Sequence, residues 1–189
     1  MNTPLFETPD GFELQWGTNH IGHFQLVRLL RPRLVRGSRV VVLSSCASNV
    51  VSAIDYAALS PDYTTYNRYR AYGHSKLANL IFAKALARRV KADGVAVYAP
   101  HPGAVATNLF RHDALTAMLM PVGSFLFRTP LEGALTPIMC ALSPEVAAET
   151  GYYYADRMRF ASHPVADDVA IQDDLWSYTE QVIDAALCR

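Results

Sequence analysis

The chain has 189 residues, 51% of them hydrophobic and 18% charged, and its 17 basic side chains balance 17 acidic ones. That length and neutrality suit one globular domain with a sizeable core, and they exclude the basic surface of a nucleic-acid binder and an acidic tail. Cys46, Cys140 and Cys188 are far apart with no C-x-x-C pair, so they read as free thiols of a reducing, cytoplasmic (intracellular) compartment.

Residues 1–9 show no basic and apolar leader pattern. Asp10, with Glu13 at capping-box distance, is predicted to open a helix. Its apolar spacing runs through Phe12, Trp16, Ile21, Phe24, Leu26, Leu29 and Leu30 to about residue 34. Residues 38–45, SRVVVLSS, form a short β-branched run that suits a strand buried on both faces of a parallel sheet. The polar, tyrosine-rich stretch 60–70 reads as loop. A second helix is predicted over 69–91, with Leu77, Leu80, Ile81, Ala85 and Leu86 on its apolar face and Gly94 ending it, then a buried strand over 95–99 and a turn at His101-Pro102-Gly103.

Two shorter helices are predicted over 115–127 and 131–142, a third strand over 151–155, and a closing helix over 169–187. The apolar stretch 114–127 contains Pro121 and Gly123 and is shorter than the roughly 20 residues that span a bilayer. It reads as a core helix or as the wall of a lipophilic site. Helices alternating with short buried strands predict an α/β fold built on a doubly wound parallel sheet.

The chemistry centres on Tyr72-Gly-His-Ser-Lys76. Four residues apart on a helix, the phenol and the amine lie on one face. A phenol near pKa 10 is a slow acid at neutral pH, and an ammonium within about 4–6 Å is expected to lower that value. Such a tyrosine can protonate a carbonyl that is being reduced by hydride. The pair alone is equally a solvated helix contact, so its context matters. Ser44-Ser45 ends one predicted strand, and the 101–107 turn, with Thr107, follows another, where open α/β sheets hold ligands.

Other groups read as structural. His20 and His23 stand at i, i+3 without a convergent third ligand, so no metal site is expected. Gly73-His-Ser75 matches only the start of a nucleophile elbow, because Leu77 replaces its closing glycine. Tyr152-Tyr153-Tyr154 reads as a half-buried strand more than as a base-stacking platform.

In five collinear stretches the sequence resembles the short-chain dehydrogenase/reductase family, most closely its retinol-dehydrogenase-like members. The stretches are Asn19-His-Ile-Gly-His-Phe24, Arg39-Val-Val-Val-Leu-Ser-Ser-Cys46, Ala71-Tyr-Gly-His-Ser-Lys-Leu-Ala-Asn79, His101-Pro-Gly103 with Val105 and Thr107, and Gly151-Tyr-Tyr-Tyr-Ala155. The resemblance implies a Rossmann-like domain that transfers hydride between NAD(P) and an alcohol or carbonyl substrate, possibly lipophilic. It implies Tyr72 as acid/base and Lys76 as the partner that lowers its pKa and bonds the nicotinamide ribose. Ser45 would orient the substrate carbonyl, with Ser44 the alternative, and Asn19 would anchor a water behind Lys76. Pro102, Gly103, Val105 and Thr107 would contact the nicotinamide end of the cofactor, and a homodimer is possible.

The family's glycine-rich turn, whose amides receive the pyrophosphate, has no counterpart: no two of the ten glycines lie at G-x-G spacing. The chain therefore reads as a single partial domain, 1–189, the C-terminal part of a doubly wound Rossmann-like sheet, N-terminally truncated. Three strands are expected, with the 38–45 strand as an open edge that favours association. Weak or no activity follows for the chain alone, and the rival reading is a non-enzymatic remnant or pseudoenzyme acting, if at all, as a dimerisation module.

Overall fold

The computed structural model of the chain describes residues 1–59, 65–105 and 127–188. Helix α1 (Leu14–Trp16), a π-helical turn (Gly17–Ile21) and helix α2 (Gly22–Leu30) run on from one another. Strand β1 (Arg39–Val41), helix α3 (Arg68–Val90), strand β2 (Ala96–His101), helix α4 (Pro130–Leu142), strands β3 (Tyr152–Ala155) and β4 (Met158–Phe160), and helix α5 (Val169–Leu187) follow. Among the described residues no helix is long and apolar enough to cross a membrane.

The sheet order is β1-β2-β3-β4, with β1, β2 and β3 parallel and β4 antiparallel to β3. Strand periodicity divides the side chains between two cores. Val97, Ala99 and Tyr153 face the large core under α3 and α5, while Tyr98 and Tyr154 pack with Cys140 of α4 on the opposite face. Helices thus cover both faces, which makes this an open, doubly wound α/β arrangement. β1 stands at the sheet's edge, as expected of the 38–45 strand.

Three expectations need correction. The first helix is capped by Glu13, whose carboxylate accepts from the Trp16 amide at 2.7 Å, and Asp10 plays no such part. Gly11 explains this, because its φ of +82° lies outside helical geometry and closes a tight turn between Thr8 and Phe12. Helix α3 is not amphipathic, since 16 of its residues are buried and they surround its whole middle. Its alanines and Gly73 allow that enclosure; a Cβ on Gly73 would stand 3.1 Å from the Ala47 carbonyl oxygen. The sheet also has a fourth strand. Asp156 and Arg157, both at positive φ (52° and 62°), fold β4 back on β3 in a two-residue hairpin.

Candidate active site

The ends of β1 and β2 open into a cavity of about 520 Å³. Ser45, Tyr72, Lys76, Pro102, Gly103 and Val105, drawn from separate parts of the sequence, all line it. Thr107 and residues 106–126, which include most of the apolar 114–127 stretch, lie outside the described residues. Asn19 stands behind the cavity, not in its wall.

Each lining group is held by local structure. The parallel ladder continues past β1, as Val42 and Ser44 donate to the Tyr98 and Pro100 carbonyls. Ser45 then turns the chain into a 3₁₀ turn (Cys46–Val50), accepting on its hydroxyl from the Ala47 amide at 3.2 Å. The two adjacent serines have different employment. Ser44 is buried and its hydroxyl donates to the Lys76 carbonyl at 2.9 Å, so it fastens the strand end to α3. Ser45 faces the cavity and is within hydrogen-bonding reach of the Tyr72 phenol.

Helix α3 is started by Asn67, whose side chain accepts from the Tyr69 and Arg70 amides, and this sets the phase at which Tyr72 and Lys76 face the strand ends. The Lys76 Nζ lies 5.7 Å from the centre of the Tyr72 ring and donates to the Leu43 carbonyl at 3.2 Å. Burial brings the Lys76 amine down to about 8. Tyr72 is pushed up from its ordinary value, since burial outweighs the opposing hydrogen bond from Ser45. The expected lowering of the phenol by the ammonium is therefore not found in this state, where the larger effect is loss of water.

Asn19 sits in the π-helical turn, a distortion common at functional sites. Its amide donates to the Ser75 hydroxyl at 3.1 Å, and Ser75 donates to the Tyr72 carbonyl at 2.8 Å, so Asn19 braces the turn of α3 that carries the phenol. Its carbonyl accepts from Asn79 at 2.9 Å.

The far wall is formed by the turn after β2. Gly103, at φ +86°, lets it double back over Arg128. Val105 bridges to Arg128, and Gly133 of α4 presses against Val105 so closely that a Cβ would lie 2.4 Å from it. Sequence reasoning did not place Met1 and Asn2 in the cavity wall. They are held by Asn2, whose amide donates to Gln15 at 2.7 Å, a contact across 13 residues without a sequence signature.

One end of a nicotinamide nucleotide fits these residues. Lys76 is 9% exposed and, among the described residues, has one acceptor, leaving ammonium protons for ligand hydroxyls. The Pro102–Val105 turn lines the same cavity. No G-x-G turn in the sequence offers amides to a pyrophosphate.

Several known dehydrogenases are similar to this chain. The chain is 39% identical over 186 residues to human retinol dehydrogenase 14, covering 95% of the chain and 55% of that protein. It is 36% identical to a chloroplastic short-chain dehydrogenase of Brassica napus, covering 98% of the chain and 61% of the relative. The crystal structure of an uncharacterized protein from Mycobacterium paratuberculosis superposes with a TM-score of 0.72 at 31% identity, covering 96% of the chain and 63% of its own. No family model matches. The chain thus spans a little over half the length of the curated relatives it matches.

Proposed function

Because this chain belongs to the short-chain dehydrogenase/reductase family, we propose that its cavity is the catalytic half of an oxidoreductase site acting on an alcohol or carbonyl with NAD(P). The observation that carries the reading is the convergence of Ser45, Tyr72 and Lys76 at the ends of two parallel strands. When bound, the nicotinamide would supply or accept the hydride. The chain's own residues do the rest. Ser45 donates to the substrate oxygen, Tyr72 gives that oxygen its Oη proton during reduction and takes it back during oxidation, and Lys76 holds the ribose and offsets charge on the phenolate. Asn19 braces Tyr72 through Ser75.

The lining favours a lipophilic substrate, since Leu43, Val50, Tyr69 and Pro130 surround the polar trio. The sequence holds no glycine-rich phosphate turn, so the chain alone binds the dinucleotide weakly and turns over slowly. NADPH fluorescence titration tests the assignment. Weak saturable binding is expected, kept in Tyr72→Phe and lost in Lys76→Met. Binding indifferent to Lys76 would sink the reading, and absence of binding would favour a non-enzymatic member of the family.

A further inference from the structure

Behind Lys76 lies a buried polar chain that the proposed chemistry does not use. His20, in the π-helical turn, is completely buried, its ring 4.5 Å from that of Trp16 and 6.1 Å from that of Phe82. Its Nδ1 lies 3.2 Å from Asn79 Oδ1 on α3, and its Nε2 3.1 Å from Thr179 Oγ1 on α5. The Asn79 amide nitrogen donates to two carbonyls, that of Asn19 at 2.9 Å and that of Leu43 at 3.0 Å. Leu43 is also the acceptor that holds Lys76.

The donors and acceptors can be assigned from one another. With both amide protons of Asn79 spent on carbonyls, its oxygen must accept, so His20 Nδ1 donates to it. Burial lowers His20 to about 3, so the ring is neutral and Nε2 has only a lone pair. The single Thr179 hydroxyl proton is donated to the Leu175 carbonyl at 2.7 Å and shared with Nε2 at 3.1 Å, a three-centre bond. A single polar path thus runs from α5 through His20 and Asn79 to the carbonyl under Lys76.

We propose that His20, spanning Thr179 and Asn79, is a positioning residue that fixes the Leu43 and Asn19 carbonyls and so sets where the Lys76 amine stands in the cavity. When the His20 ring is absent, or is no longer held by Thr179, the buried Asn79 oxygen loses its fixed donor, and the side chain can turn away from the Leu43 carbonyl. The Lys76 stem can then swing its amine toward cavity water. This inference deepens the role proposed for Lys76 and rests on that role only for its consequence in catalysis. The titratable groups facing Lys76 are Tyr72 on α3 and His23 on α2, and Cys46 lies beyond Tyr72. None of the three is altered by the substitutions below.

The test is an NMR pH titration of the full chain carrying isotope-labelled lysine. Three lysines, Lys76, Lys84 and Lys91, give three signals, and Lys76→Met identifies the first. In Thr179→Val, which keeps the shape and removes the hydroxyl, the Lys76 midpoint is expected to rise by about one unit, a tenfold gain in proton affinity. His20→Phe, which keeps the ring contacts, should do the same, and Thr179→Ser should restore the native midpoint. A midpoint that fails to rise in Thr179→Val, or rises equally in Thr179→Ser, overturns the proposal, and this pair decides alone if His20→Phe does not fold. The titration needs neither cofactor nor substrate, so its outcome and that of the NADPH titration are independent.

Discussion

The Lys76 amine is buried beside the Tyr72 ring, and burial brings it down to about 8 from an ordinary value near 10.5. Holding it charged at pH 7 costs the fold on the order of 3 kcal/mol. Between about 8 and 10.5 the unfolded chain keeps a proton that the folded chain has released, so this cost shrinks as pH rises through that window. Lys76→Met should therefore gain about 1–2 kcal/mol at pH 7 by urea unfolding, with the difference from the native protein fading toward pH 10.5. Equal stability of the two proteins at pH 7 would show that the amine is solvated. Tyr72 and Lys76 were legible in the sequence as a pair four residues apart. Their protonation was not, because it depends on how much water α3 loses to segments distant in the sequence. The partners of His20 were hidden for the same reason, lying 59 and 159 residues away.

At the scale of elements, α3 and α4 set the two walls of the cavity. Gly133 allows α4 to meet the turn after β2, and a Cβ there would stand 2.4 Å from Val105. Gly133→Ala should cost about 1–3 kcal/mol through overpacking. Val105→Ala should recover most of it in the double variant, because the clash is between those two side chains. Additive costs in that cycle would mean that α4 and the turn are not in contact. The long helices and the parallel strands could be read from apolar periodicity and β-branched runs to within a few residues. The π-helical turn could not, because the one-residue phase shift it brings, the five-residue step from Trp16 to Ile21, lies within the scatter of ordinary helical spacing. The β3–β4 hairpin was missed because its turn is Asp156-Arg157, without the glycine or asparagine that marks positive φ in a sequence.

For the whole molecule, the doubly wound arrangement explains why the reactive groups converge. Parallel strands with helices on both faces bring their carboxyl ends to one side, and the loops leaving those ends carry Ser45 and the 102–105 turn to Tyr72 and Lys76. The proposed reading is hydride transfer within this cavity, with Tyr72 moving the proton. Its most direct test is single-turnover reduction of an apolar aldehyde at high NADPH concentration, comparing the native chain with Tyr72→Phe. A slow reduction above the uncatalysed rate is expected, falling by about a hundredfold or more in the variant. A rate unchanged in Tyr72→Phe, or one no faster than in buffer alone, would contradict it.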